Sequence, residues 1–146
     1  MAPNSGNNPP VTDDIASRAW VAYNDQQDEV STSPAVSALF SDIHTGIVSV
    51  DVKKFSTHLA KQVYLNLRGV ESGYFSQNQA FYILDSYLSA RHVVQFTFST
   101  INGAGPTPYA TGGGIFMRHG RREIFQVYTS LSKQDDQWVI TQLNVY

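Results

Sequence analysis

The last third of the chain alternates between apolar and polar residues, which is the pattern of β-strands with one buried face. Four stretches of strand length show this alternation and are separated by polar or glycine-rich turns: residues 92–100, 109–117, 123–131 and 138–146. Aromatic and β-branched residues occupy many of the apolar positions, as is typical of strands. The pattern therefore predicts an antiparallel meander of four strands that forms one curved sheet.

The first of these strands carries Val94, Phe96 and Phe98 at alternate positions, and His92 has the same parity. Residues of one parity in a strand point to one side of the sheet. We therefore predict that Phe96 lies in the hydrophobic core and that His92 lies at the edge of the same apolar face.

The second strand contains Gly112, Gly113 and Gly114 in succession. Glycine inside a strand marks a bulge, a sharp bend or the close approach of another group. A phosphate-binding loop would require a strand, a turn and a helix in that order, and this context is missing. The three glycines therefore indicate a bend in the sheet.

The last strand has apolar residues on both faces. They divide into Val139, Leu143 and Val145 on one face, and Trp138, Ile140 and Tyr146 on the other. Contiguous apolar patches are uncommon on the surface of a monomer and tend to mark interfaces. The pattern therefore predicts a homodimer that forms through the sheet. The alternative is a monomer in which residues 12–25, with Trp20 and Tyr23, cover this face.

Helical spacing dominates the chain before the meander. A first helix is predicted to begin at Ser33–Pro34 and to end at Gly46. Its apolar stripe consists of Val36, Leu39, Phe40 and Ile43. A second helix is predicted from about Ser49 to Ala60, and its stripe consists of Val48, Val52, Phe55 and Leu59.

One further strand and one further helix precede the meander. Residues 61–67 alternate and predict a strand, and residues 68–74, which contain two glycines, are predicted to form a loop. Ser76 and Gln79 have the spacing of a capping box, which opens a helix that is predicted to continue to about Ala90. The predicted buried stripe of this helix is Ala80, Phe81, Leu84, Tyr87 and Leu88.

Residues 1–33 differ in composition from the rest of the chain. Residues 1–11 are rich in Asn, Pro, Gly and Ser, a composition that predicts disorder, and residues 12–23 are predicted to form a short helix. We therefore predict that residues 1–33 are a disordered or loosely packed extension. Residues 34–146 have an ordinary length for one domain and are predicted to form a single α+β domain.

The composition excludes several classes of function. The chain has no cysteine, so it has no disulfides, thiolate metal sites or cysteine nucleophiles. Its net charge of −2 gives no general attraction to nucleic acids, and no apolar run is long enough to span a bilayer. The basic stretch 118–122 is interpreted as a solvated hairpin turn because no aromatic residues alternate with the arginines. The histidines lack metal-ligand spacing, and we expect no metal, no cofactor, no nucleic-acid partner and no membrane span.

Two titratable residues are candidates for acid–base chemistry. His92 could exchange a proton if Tyr64, Tyr82 or Asp85 lay beside it. Asp85 lies in an otherwise apolar helix, and a carboxylate desolvated in a pocket is a proton-transfer candidate. Each also has a simpler interpretation, with His92 as a hydrogen-bonded or solvated residue at a strand end and Asp85 facing solvent. The predicted ligand pocket consists of Tyr64, Tyr82, Asp85, His92 and Phe96.

The order of the elements resembles the nuclear transport factor 2-like superfamily, in which a strongly bent sheet wraps around helices as a cystatin-like α+β cone. Residues 36–146 are similar to a narrower bacterial family within it, the domain of unknown function 4783. The similarity lies in the Phe55 helix, in the segments 63–65, 75–80 and 87–88, and in the ending 127–131 and 138–143. It implies the cone fold. The superfamily contains isomerases, dehydratases, ligand binders and dimers that only bind proteins, and its members often dimerise through this sheet. The fold alone therefore does not select a function.

The leading hypothesis for function is a non-catalytic module that binds a small apolar ligand or a protein partner. Its basis is the abundance of aromatic residues, eight Phe and eight Tyr, without a convergent group of polar residues. One alternative is an isomerase- or dehydratase-like enzyme that uses His92 or Asp85, and a second is a structural homodimer without a ligand. A closed cavity that held His92 beside a carboxylate would favour the enzyme, whereas an open or filled cone would favour the module.

The location of the protein in the cell has two interpretations. The first residues lack the charged and apolar regions of a signal peptide, so the protein is either cytoplasmic or exported with a leader that this sequence does not include. Because members of the narrower family are generally exported, the resemblance favours a periplasmic or extracellular location.

Overall fold

The computed structural model describes residues 32–146, which contain two α-helices, two short 3₁₀ helices and six β-strands. Helix α1 spans Pro34–Val48 and helix α2 spans Gln77–Ser89. In chain order the strands are β1 Leu59–Leu67, β2 Glu71–Ser76, β3 His92–Asn102, β4 Tyr109–Arg118, β5 Arg121–Gln134 and β6 Gln137–Val145. The predicted disorder of residues 1–11 and the predicted helix at 12–23 lie outside the described residues.

All six strands belong to one sheet, in the order β2-β1-β6-β5-β4-β3. The meander from β3 to β6 forms as predicted, and β1 pairs antiparallel with β2. Strand β1 pairs in parallel with β6, so the sheet is mixed rather than wholly antiparallel. A parallel pair requires a long connection between its strands, and the chain from β2 to β5 provides it. The predicted α+β class is confirmed.

Helix α1 buries the predicted apolar stripe, which consists of Val36, Leu39, Phe40 and Ile43. The helix does not end at Gly46 as predicted, because it continues to Val48. A Cβ atom on Gly46 would lie 2.5 Å from the ring of Phe55, closer than carbon atoms approach each other without overlap. This glycine therefore permits close packing and does not terminate the helix.

The predicted second helix, residues 49–60, is wrong. The chain instead forms two short 3₁₀ helices, Val52–Lys54 and Ser56–His58, before β1 begins. Val52 and Phe55 are nevertheless buried, as their apolar spacing indicated. The reason is that residues three apart also lie on one side of a 3₁₀ helix, so a spacing of three does not separate the two kinds of helix.

Strand β2 was not predicted, because residues 68–74 have no alternating pattern. The strand pairs with β1 from Leu67 opposite Glu71 to Gln62 opposite Ser76. It lies at the edge of the sheet and its residues are exposed or only half-buried. An edge strand buries few side chains, so its pairing leaves little trace in the hydrophobic pattern.

Helix α2 begins with the predicted capping box. The backbone N–H of Gln79 donates to Ser76 Oγ over 3.2 Å, and the backbone N–H of Ser76 donates to Gln79 Oε1 over 3.0 Å. These bonds satisfy two donors that a helix start leaves without partners. The buried residues of the helix follow the predicted stripe: Ala80, Leu84, Tyr87 and Leu88.

Strand β3 contains a bulge that changes which residues face the core. Its register against β4 shifts between Val93 and Gln95, so Val94 is an extra residue without a partner. The bulge reverses the alternation, and Val93 is buried whereas Val94 is exposed. Phe96 lies in the core as predicted, with 3% of its surface exposed. His92 precedes the bulge and is exposed on the opposite side of the sheet, so the prediction that it shares the face of Phe96 is wrong.

The glycines of β4 make room for β3. Gly114 lies opposite Phe96 and Gly112 lies opposite Phe98. A Cβ atom on Gly114 would overlap the backbone oxygen of Gln95, and one on Gly112 would overlap the backbone of β3 in the same way. Close approach of another group, one of the three interpretations of glycine inside a strand, therefore accounts for Gly112 and Gly114, whereas the bend that we predicted from the three glycines stays a prediction.

Both hairpin turns after β4 consist of two residues with positive φ. His119 and Gly120 have φ values of 52° and 75°, and Asp135 and Asp136 have values of 52° and 65°. Two positive φ values in succession are typical of type I′ turns, which match the twist of the strands they join. Strand β5 consequently extends up to both turns and is longer than the predicted 123–131.

Strand β6 also contains a bulge. The register against β5 leaves Thr141 as an extra residue, which reverses the alternation along the strand. Ile140 is consequently buried in the core together with Leu143 and Val145. The prediction that Ile140 lies on the side away from the helices is wrong. Trp138 also turns toward the core and is half-buried against it.

Candidate functional site

Aromatic rings fill the space between the helices and the sheet. The ring of Phe125 stacks on Phe116 with 3.9 Å between centroids and on Phe96 with 5.7 Å. A cavity that residues 32–146 line between the helices and the sheet has a volume of about 10 Å³, and its lining consists of apolar side chains and Tyr87. A volume of this size holds at most one water molecule. Side chains therefore fill this part of the cone.

The five predicted pocket residues do not come together, and none of them lines this cavity. Tyr82 and Asp85 are exposed on α2, and His92 is exposed at the start of β3. Phe96 lies in the core, whereas Tyr64 lies on the side of the sheet that faces away from the helices. Within residues 32–146, His92 forms no hydrogen bond with a carboxylate, so the arrangement that would favour an enzyme is missing there.

The side of the sheet that faces away from α1 and α2, called the outer face below, carries most of the tyrosines that the structure describes. The strand registers place five of them on it: Tyr64, Tyr74, Tyr109, Tyr128 and Tyr146. Their rings form two contacting pairs, Tyr64 with Tyr74 at 5.1 Å and Tyr109 with Tyr128 at 5.9 Å between centroids. Tyr74 and Tyr146 are 68% and 50% exposed, so part of this aromatic surface faces solvent.

Asn144 lies in the middle of the outer face, between Asn66 of β1 and Tyr128 of β5. Only 5% of its surface is exposed. Its Nδ2 donates to the hydroxyl of Tyr146 over 3.2 Å, but its Oδ1 accepts no hydrogen bond within residues 32–146. A buried acceptor without a donor costs roughly 1–3 kcal/mol. A partner that supplied a donor would remove this cost.

The outer face has almost no charge. On β5, the longest strand, its positions are Arg122, Ile124, Gln126, Tyr128 and Ser130. The arginine lies near the β4–β5 turn, at the end of the sheet. Ile124 is 74% exposed, the largest exposed fraction among the large apolar residues that the structure describes. Depletion of charge and enrichment of tyrosine are typical of the centre of a protein interface.

Sequence reasoning did not single out Arg91, a nearly buried arginine just after α2. Its Nη1 donates to the backbone oxygen of Tyr87 over 3.0 Å, and its guanidinium carbon lies 3.7 Å from the centre of the Tyr87 ring. Burial raises the pKa of the Tyr87 hydroxyl, and the positive charge of Arg91 opposes this shift. A positive charge at a helix C-terminus stabilises the last carbonyl groups, so the role of Arg91 is structural.

Other kinds of site find no support in the described part of the chain. Residues 32–146 contain no group of three His, Asp or Glu side chains that could hold a metal ion. No helix there is long and apolar enough to cross a bilayer. The basic stretch at 118–122 is a hairpin turn whose His119, Arg121 and Arg122 side chains are exposed.

The fold places the protein in the nuclear transport factor 2-like class of α+β cones. A ketosteroid isomerase-like protein from Erwinia carotovora atroseptica has a similar structure, with a TM-score of 0.62 and 10% identity over 76% of this chain and 92% of that one. An NTF-2 like protein of unknown function from Shewanella oneidensis is also similar, with a TM-score of 0.54 and 14% identity over 76% of this chain and 95% of that one. At these identities the similarity establishes the fold alone.

Within this class, residues 40–145 match the model of the family described as Domain of unknown function (DUF4783). The chain therefore belongs to this family. The crystal structure of a DUF4783 family protein from Bacteroides uniformis is similar, with a TM-score of 0.62 and 16% identity over 72% of this chain and 93% of that one. No curated protein matches the chain.

Proposed function

We propose that this protein is a non-catalytic binding module that acts through the outer face of its sheet and recognises a protein partner. The observation that carries this proposal is the contrast between the two sides of the sheet. The cavity that residues 32–146 line between the helices and the sheet has a volume of only about 10 Å³, which argues against a small apolar ligand there. The outer face presents tyrosines and almost no charge, and both features are typical of the centre of a protein interface.

The partner that we propose for this face is a second copy of the chain. Because the face has almost no charge, two copies would meet without electrostatic repulsion. Symmetric dimers are the commonest oligomers, and in them the same patch meets itself. The exposed side chain of Ile124 and the unpaired Oδ1 of Asn144 would both gain partners in such a pair.

The dimer is tested with two exposed isoleucines. In light scattering at micromolar concentration, the wild-type chain should have twice the mass of one 16.2 kDa chain. Ile124→Lys should weaken the dimer by about tenfold or more, roughly 1.4 kcal/mol, because it buries a charge in the interface. The control is Ile101→Lys, which alters a 52% exposed isoleucine that pairs with Ala110 on the other side of the sheet and should leave the mass unchanged.

A wild-type mass of one chain at all concentrations would contradict the dimer. The monomeric alternative has residues 12–25 on the outer face, and these residues lie outside the described part of the chain. If deleting them converted a monomer into a dimer, they would be identified as the segment that occupies the face. If Ile101→Lys weakened the dimer as much as Ile124→Lys did, the outer face would not be the interface.

A further inference from the structure

A groove on the surface lies between α1 and the β5–β6 hairpin, apart from the outer face and from the filled interior. Its volume is about 390 Å³, which falls in the lower part of the range for ligand sites. It is open to solvent and is lined mainly by Ala35, Ala38, Leu39, Asp42, Asp136 and Trp138. None of the five pocket residues predicted from the sequence contributes to it.

The groove owes its shape to small residues on α1 and to the bulge in β6. Ala35, Ala38, Leu39 and Asp42 follow the spacing of one helix face, and the exposed alanines leave room above the helix. The bulge at Thr141 reverses the alternation of β6 and turns Trp138 toward the helix side of the sheet. The groove therefore has an apolar floor and an aromatic side chain in its wall.

The rim of the groove carries two aspartates that form no ion pair with the part of the chain that the structure describes. Asp42 and Asp136 both line it, and within residues 32–146 neither carboxylate forms an ion pair. His58 and Gln137 complete the lining. Two such carboxylates beside an indole complement a planar cation, because the cation can form charged hydrogen bonds with the carboxylates and stack on the indole ring.

The indole of Trp138 already attracts one cation. The ammonium of Lys133 lies 5.8 Å from the centre of the Trp138 ring, and Lys133 does not line the groove. A second cation could therefore reach the indole from the groove. This second cation would come from a binding partner, as an arginine or a lysine side chain. Arginine fits better than lysine, since its guanidinium stacks on aromatic rings and bonds two carboxylates through separate N–H groups.

We propose that this groove binds an arginine side chain that a protein partner presents. The guanidinium lies between Asp42 and Asp136 and stacks on Trp138, and the methylene groups of the arginine pack on the alanines of α1. This proposal is independent of the dimer, because neither Ile124 nor Asn144 nor any of the five tyrosines of the outer face lines the groove.

The first test titrates the ¹⁵N-labelled full-length protein with N-acetylarginine amide and follows the indole N–H signal of Trp138 by NMR. A spectrum of Trp138→Phe assigns this signal, since the chain has only one other tryptophan, Trp20. The shift should saturate. N-acetylcitrulline amide, which has nearly the same shape without the charge, should bind at least about tenfold more weakly because it lacks the attraction to the carboxylates.

The second test locates the charge recognition. Asp42→Asn and Asp136→Asn should each weaken binding of N-acetylarginine amide several-fold, and the double variant should weaken it about tenfold or more. Glu71→Gln, which removes an exposed carboxylate from β2, is the control and should bind like the wild type. The proposal is overturned by a linear response without saturation, by equal binding of the citrulline probe, or by wild-type affinity in a double variant whose spectrum shows it folded.

Discussion

At the scale of single residues, two glycines in β4 decide how closely β3 can pack. Gly112 and Gly114 point toward the helix side of the sheet, where Phe98 and Phe96 of β3 lie opposite them. Gly113 points to the outer face, where a Cβ atom would have its nearest neighbour, the backbone oxygen of Phe125, at 3.4 Å. Three adjacent glycines with the same sequence signal therefore have different structural roles.

This difference predicts unequal effects of one and the same substitution. Gly114→Ala should destabilise the protein by about 1–3 kcal/mol, because the new methyl group overlaps the backbone of β3 and the ring of Phe125. Gly113→Ala is the matched control and should change the free energy of unfolding by less than about 1 kcal/mol. Urea denaturation of both variants measures the difference. Equal midpoints and slopes would show that β3 can move away without cost.

At the scale of elements, helix α2 and strand β3 differ in how far local sequence determines them. The start of α2 depends on Ser76 and Gln79, which bond each other's backbone groups within four residues. The faces of β3 depend instead on the bulge at Val94, whose position is set by pairing with β4. The prediction succeeded for the helix and failed for His92 for this reason.

The capping box predicts a measurable loss of stability. Ser76→Ala removes the oxygen that accepts from the backbone N–H of Gln79 and should cost about 1 kcal/mol. Ser86→Ala, on the exposed side of the same helix, makes the same chemical change without removing a cap and should be neutral or slightly stabilising. Thermal and urea unfolding compare the two. If both variants unfolded like the wild type, the capping box would contribute nothing to stability.

At the scale of the whole molecule, the hydrophobic core that the structure describes draws on the unit from Pro34 to Tyr146. Its buried apolar residues run from Val36 in α1 to Val145 in β6 and include side chains from both helices and from the sheet. The core closes around three stacked phenylalanine rings, Phe96, Phe116 and Phe125. These rings occupy the space between the helices and strands β3, β4 and β5.

Residues 1–11 are predicted to be dispensable for folding. The segment contains few apolar side chains, so its deletion should leave the melting temperature within experimental error. Differential scanning calorimetry of the shortened chain, at the same protein concentration as the full chain, measures this. A drop of several degrees would mean that the segment packs on the rest of the protein.

The sequence by itself determined the elements whose signals are local. Helix α1, the capped helix α2 and the four strands of the meander follow from hydrophobic periods, a capping box and turn residues that lie within a few positions of one another. The buried positions of Phe96, Leu143 and Val145 followed from the same patterns. The family resemblance also predicted the cone fold, which the similar solved structures confirm, and the DUF4783 family, which the family match confirms.

Only the tertiary structure decided which way several residues face and what room is left between them. One extra residue at Val94 and one at Thr141 reverse the alternation of β3 and β6, which moves His92 to the outer face and Ile140 into the core. The position of a bulge depends on pairing with the neighbouring strand, and the partner residues lie outside the short stretch over which the alternation is recognised. The filling of the cone likewise depends on how rings from three strands meet. No local pattern in the chain contains these distances.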